Sequence, residues 1–175
     1  MSLKDTLSHY DIILVGDGSG INKEGSWAVA LIDKIQGEAR LLSGFCSLTT
    51  INVMELMGYI HALNYLEKTD HIHARIAENL KPSVVILTDS SVTANCGNGE
   101  HQPKANLAFW KCIEYFKTIF TIVFINIKRS SIPLNKFSDK VAGEMRRASS
   151  DKFNQLKSGF DKWLDNDDVT YTIVP

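Results

Sequence analysis

Three short apolar runs crowd the first 45 residues, and only turn-forming residues separate them. The first is Asp11-Ile12-Ile13-Leu14-Val15-Gly16-Asp17; the second and third cover 26–32 and 39–45. Gly18, Gly20 and Gly25, then Lys34-Ile35-Gln36-Gly37, supply the turns, so the spacing predicts an antiparallel meander. An amphipathic pattern over 52–67 follows, with its apolar stripe at Val53, Leu56, Met57, Ile60, Leu63 and Leu66 and Thr49 or Thr50 placed to cap it. A meander that hands over to helix leaves few architectures open.

Downstream the pattern alternates. Residues 68–82 carry a weak helical pattern through Ile72, Ile76 and Leu80, ended by Pro82. A strand at 83–88, a helix at about 103–119, a strand at 121–127 and a helix at roughly 135–156 come next, the last expected to bury Phe137, Val141, Met145, Ala148 and Phe153. The tail carries a short strand pattern at 170–174. The order β-β-β-α-β-α-β-α implies an α/β mixed sheet covered by helices.

At 175 residues, with 44% apolar and 22% charged residues, the chain suits one soluble domain. A net charge of -1 offers no global attraction to nucleic acid, so such binding needs a local patch. Lys128, Arg129, Lys136, Lys140, Arg146, Arg147 and Lys152 form one, although a run of this kind also describes a solvated helix face. Cys46, Cys96 and Cys112 are an odd number without ligand spacing and read as reduced. Neither a membrane span nor a signal segment is evident, so the expected setting is cytoplasmic. His71, His73 and His101 lack ligand spacing and read as exposed loop residues, while Trp110 and Phe109 follow the core period of their helix.

Four acids stand at expected element ends. Asp17 follows the first run and leads into Gly18-Ser19-Gly20; Glu55 lies in the first turns of the 52–67 helix; Asp89 closes the strand at 83–88; Asp139 opens the last helix. Each has an ordinary reading. Asp17 suits a turn, Glu55 a helix dipole, and Asp89 and Asp139 helix caps. Carboxylates converging on one point, by contrast, repel one another unless cations hold them, which calls for hard divalent ions. The Gly16–Gly20 stretch lacks the Lys-Ser/Thr ending of a phosphate loop.

These acids sit in motifs. Asp17-Gly18-Ser19 with Gly25-Ser26-Trp27-Ala28, Asn52-Val53-Met54-Glu55-Leu56 with Ala62-Leu63, Thr88-Asp89-Ser90, and Asn135-Lys136-Phe137-Ser138-Asp139-Lys140-Val141-Ala142 occur in that order. Over about residues 10–150 the chain resembles ribonuclease H of type 1 and the wider ribonuclease H-like superfamily. The resemblance implies a mixed five-stranded sheet flanked by helices, in a single domain spanning 1–175 with its core at about 10–156 and a C-terminal extension at 157–175. It further implies a metal-dependent endonuclease cutting the RNA strand of an RNA–DNA hybrid. In that reading Asp17, Glu55, Asp89 and Asp139 hold two Mg²⁺ (or Mn²⁺) ions, and Asn22, Thr50, Asn52, Arg129 and Asn135 contact substrate. Thr50 and Asn52 serve equally well as helix-capping residues.

The chain departs from the family in two places. Where the family carries a loop His before the last motif, this sequence has Arg129 in Lys128-Arg129-Ser130-Ser131-Ile132-Pro133. Between Asp89 and the helix at 103 there is space for one short turn of helix and the loop Gly97-Asn98-Gly99-Glu100-His101, not for the family's basic, Trp-containing protrusion. A ribonuclease H-like nuclease of different specificity, and a non-catalytic nucleic-acid-binding or assembly module, are the alternatives these departures leave open.

Overall fold

A computed structural model describes residues 3–129, 131–147 and 172–173. A short helix, α1 (Leu3–Ser8), precedes the meander of β1 (Ile12–Ile21), β2 (Glu24–Asp33) and β3 (Glu38–Ser47). The first strand does not end at Asp17 as expected. Asn22 and Lys23 both have positive φ (52° and 68°), a tight turn whose twist matches paired strands. Gly18 to Ile21 therefore stay zipped to Glu24–Trp27, and Asp17 lies in mid-strand opposite Ala28. At the other turn, Asp33 Oδ1 accepts from the N–H groups of Ile35 (3.0 Å) and Gln36 (3.2 Å).

The helix α2 (Ile51–Glu67) begins where Thr50 Oγ1 accepts from Val53 N at 3.3 Å. Its buried face is wider than the expected stripe: Met54, Glu55, Tyr59 and Ala62 are buried with Leu56, Leu63 and Leu66, while Val53, Met57 and Ile60 lie at the margin. The excursion at 68–82 contains α3 (Asp70–Ala77), of which only Ile72 is buried; Ile76 and Leu80 are exposed. His71 is not a loop histidine: its Nε2 lies 2.6 Å from Asp33 Oδ2. Then come β4 (Ser83–Thr88), α4 (Ser91–Gly97), α5 (Leu107–Ile119), β5 (Thr121–Asn126) and α6 (Pro133–Arg147). The helix expected from 103 starts at Leu107, after Asn106 in the left-handed region. The last helix starts before Asn135, at Pro133, a residue suited to a first helical turn. The side chain of Met145, and Ala148 and Phe153, fall outside the described residues.

The strands form one sheet in the order β5-β4-β1-β2-β3-β6. The expected five are joined at the β3 edge by β6 (Thr172–Ile173), which pairs in parallel with Glu38 and Ala39. The meander is antiparallel, whereas β1/β4 and β4/β5 are parallel. Alternation along β1 sends Ile12 and Leu14 toward α2 and α5, and Ile13 and Val15 toward α6, giving a core on each face. No helix among the described residues is long and apolar enough to cross a membrane. The three cysteines are free.

Two glycines set how closely α2 lies on β1. A Cβ at Gly18 would stand 2.7 Å from Glu55 N and 2.9 Å from Ile51 O, both backbone atoms of the helix. One at Gly16 would stand 2.8 Å from the Tyr59 ring. Backbone cannot step aside as a flexible side chain can. Gly18→Ala is expected to destabilise the fold by ~1–3 kcal/mol, the usual cost of overpacking, in chemical denaturation followed by circular dichroism.

Candidate active site

The parallel register of β1 and β4 stops at the pair Val15–Leu87, and beyond it the two strands part. Tyr59, fully buried on α2, closes the gap: its hydroxyl lies 3.2 Å from Gly16 O and 3.3 Å from Leu87 O, so its one proton serves carbonyls of both strands. A parting of strands at their carboxyl ends is where open α/β sheets place ligands.

The acids reach this parting from both faces of the sheet. Asp17 follows Val15 by two residues and so points to the α6 face, while Gly16 and Gly18 let α2 carry Glu55 in on the other. Asp89 follows the last residue of β4. Asp139 sits in the second turn of α6, so it is not the expected helix opener. Ser138 beside it is fully buried and donates to Val15 O at 2.9 Å, which fixes α6 against β1 at this level. The Ser26 hydroxyl, donating to Ala142 O, pins the same helix one turn further on.

Several ordinary readings of these acids fail on geometry. The helix cap after β4 is Ser90, whose Oγ accepts from Thr93 N at 3.2 Å, so Asp89 is left free of that duty. Asp17 is 8% exposed, inside a strand rather than a turn. Its Oδ1 accepts from Gly18 N at 2.8 Å, whereas Oδ2 is buried and meets no hydrogen-bond donor. Burial pushes its pKa up to about 8; the adjacent Asp139 carboxyl and the charge of Asp89 add to the rise, and the Gly18 N–H opposes it. Asp17 is thus a carboxylate short of positive charge.

Glu55 is satisfied differently. Thr88 donates to its Oε1 and Thr93 to its Oε2 (3.3 Å). Burial is the main cause of its raised pKa; the threonine hydroxyls oppose the rise and Asp89 adds to it. Arg129 reaches across the open side of the site. Its Nε lies 3.6 Å from Asp89 Oδ2 and its Nη2 3.2 Å from Asp139 Oδ1. The Arg129 side chain is 70% exposed, so each pair contributes about 1 kcal/mol or less.

Among the described residues no three acidic, histidine or cysteine side chains already stand around one point as ligands. The threonines hold Glu55, and the guanidinium contacts Asp89 and Asp139. The donor set nonetheless fits a hard divalent ion. It is all oxygen, it includes a buried carboxylate oxygen without a donor, and its electrostatic deficit is of cations.

The other candidate residues are spread more widely. Thr50 is the cap of α2 and is exposed; Asn52, one turn before Glu55, is also exposed and lines a cleft of about 650 Å³. That cleft continues past Ser90 and Thr93 to Lys104, Asn106 and Trp110, over the loop that stands where a protrusion is missing. Trp110 is buried, as its helical spacing predicts. Asn135 is buried in α6. Asn22 sits at the β1–β2 turn, roughly 15 Å of strand from Asp17. Sequence reasoning missed Tyr59, Thr93 and Ser138 as supports of the site. Tyr59 had a signal, one helical turn after Glu55; the two hydroxyls had none.

No family model matches the chain, and no curated protein matches it in sequence. Among solved structures it is similar to LC11-RNase H1, isolated from compost by a metagenomic approach: 22% identity, 78% of this chain and 96% of that one, TM-score 0.63. The same protein in complex with an RNA/DNA hybrid matches with TM-score 0.60 at 22% identity, over 76% and 94% of the two chains. RNase H1 from the archaeon Halobacterium salinarum matches at 16% identity over 78% and 98%, TM-score 0.57. The fold is the ribonuclease H-like fold, as its motifs imply.

The raised pKa of Asp17 has a signed consequence. A folded pKa near 8 against an ordinary 3.8 means the native state binds the extra proton, so this contribution to stability is complete below about pH 4 and is lost as pH rises toward 8. In chelator, Asp17→Asn is therefore expected to melt above the parent protein near pH 8, with the gap shrinking toward pH 4. A gap independent of pH counts against the buried carboxylate.

Proposed function

We propose that this chain is a metal-dependent endonuclease that hydrolyses the RNA strand of RNA–DNA hybrids. The observation that supports the reading is that Asp139 and the charge of Asp89 act on Asp17 where β1 and β4 part, while the charge of Asp89 also acts on Glu55. The hybrid-bound LC11-RNase H1, which shares the fold, supports the choice of substrate. Asp17, Glu55, Asp89 and Asp139 would hold two Mg²⁺ or Mn²⁺ ions, which when bound supply an activated water and charge stabilisation for the departing 3′-oxygen.

The protein's own parts are positioning devices. Thr88 and Thr93 orient Glu55, and Ser138 holds the helix turn that carries Asp139. Asp17, its carboxyl pKa pushed up to about 8 mainly by burial, must give up its proton to become a ligand. Asn22, Thr50, Asn52, Arg129 and Asn135 are the proposed substrate contacts. Of these Asn52 lies on α2 in the cleft lined by Ser90 and Thr93, and Arg129, on the turn before α6, contacts Asp89 and Asp139. Choice of RNA rests on its 2′-hydroxyls and groove shape rather than on base sequence. The proposed setting is the cytoplasm.

Cleavage of a labelled hybrid in Mg²⁺, in Mn²⁺ and in chelator tests this, with single-stranded RNA and duplex DNA as controls. Cleavage is expected only of the RNA strand and only with metal. Asp17→Asn or Asp89→Asn should lower the rate by more than ~100-fold, beyond the ~10–100-fold cost of losing a residue that merely orients a ligand. Normal turnover by Asp17→Asn would remove the assignment.

Arg129 also bears on binding. It stays charged at any working pH, so it holds phosphate but cannot shuttle protons. Arg129→Ala is expected to weaken hybrid affinity and flatten its salt dependence by a little under one unit of log–log slope, measured by fluorescence anisotropy at several salt concentrations. Arg129→His should keep or raise single-turnover rates. If Arg129→Ala changes none of these, the loop lies away from the substrate.

A further inference from the structure

The guanidinium of Arg129 contacts two carboxylates that are far apart in sequence, Asp89 at 3.6 Å and Asp139 at 3.2 Å, through different nitrogens. It arrives from a turn, and its side chain is held mostly by its charged end, being 70% exposed. Next to it lies the buried Oδ2 of Asp17 with no donor, so one guanidinium does not satisfy the cluster. We propose that Arg129 is a resident counter-cation that occupies the carboxylate cluster in the metal-free protein and must swing out before divalent ions can bind. This rests on the two-ion reading above.

The electrostatics favour exclusion rather than sharing. A divalent ion on Asp89 and Asp139 would sit within a few ångströms of the guanidinium, where like charges repel strongly at the reduced dielectric of a half-buried site. Arginine cannot relieve this by losing its proton; it has to move. Its exposure makes the movement easy, because little packing is lost when the side chain swings into solvent. Apparent metal affinity is then the intrinsic affinity reduced by the fraction of molecules with the arginine out. Two exposed ion pairs hold the arginine in place in most molecules, which lowers metal affinity by roughly five- to tenfold. The released side chain is then free for a phosphate of the hybrid, so metal loading and nucleic-acid binding favour each other.

The test is calorimetric titration of Mn²⁺ alone, without nucleic acid, into the intact parent protein, Arg129→Ala and Lys128→Ala. Lys128 is an exposed cation one residue away and reports the general effect of removing positive charge. Arg129→Ala is expected to bind Mn²⁺ about five- to tenfold tighter, with Lys128→Ala within about twofold of the parent. In chelator Arg129→Ala should melt below the parent, and saturating Mn²⁺ should close that gap. Equal or weaker Mn²⁺ binding by Arg129→Ala overturns the displacement while leaving the two-ion reading intact. An equal gain in Lys128→Ala also overturns it, as a diffuse field effect. Failure of both the parent and Arg129→Ala to bind Mn²⁺ overturns the two-ion reading and the displacement with it.

Discussion

The parting of β1 from β4 beyond Val15 and Leu87 is the constraint on which the rest of this molecule depends. Two parallel strands that diverge leave carbonyls without ladder partners, and burying them unpaired is costly. Tyr59 removes that cost with one hydroxyl set between Gly16 and Leu87, and its ring requires that residue 16 have no side chain. The same close approach brings α2 onto β1 and delivers Glu55. The glycines of the Gly16-Asp17-Gly18 stretch therefore build the carboxylate site and the core at once. A substitution in this stretch acts on folding and chemistry together.

The charge arrangement follows from that geometry. Acids brought together in a partly buried crevice have only a few remedies: protonation, hydrogen-bond donors or cations. All three are used here, each on a different group. Asp17 takes up a proton, Glu55 takes two threonine hydroxyls, and Asp89 and Asp139 take a guanidinium.

Much of this was legible in the sequence. Apolar runs and turn residues fixed five strands and the principal helices, because burial patterns at period 2 and 3.6 survive whatever the tertiary details. The four acids stood out in the sequence because they occur in motifs of fixed order, and their shared role belongs to the proposal. Boundaries were less so. Asp17 read as a strand end, since its glycine-rich continuation has no apolar alternation; cross-strand pairing through the Asn22-Lys23 turn, a tertiary effect, keeps that segment extended. Asp139 read as a helix start because Pro133, which opens α6, follows a polar loop. The partners of Glu55 and the orientation of Arg129 were invisible, as both depend on contacts between residues tens of positions apart.

The excursion at 68–82 has a mechanical meaning at the far end of the sheet. Arg75 of α3 pairs with Asp11 (3.3 Å), His71 of the same helix binds Asp33, and Asp11 in turn ties the start of β1 to Ser83 at the start of β4. One short helix thus acts as a brace across the ends of β1, β2 and β4, opposite the crevice. Such a brace makes the sheet a lever clamped at one end. The tie at Asp11 and Ser83 holds β1 and β4 together at that end, and the ladder between them runs only as far as Val15 and Leu87, at the crevice.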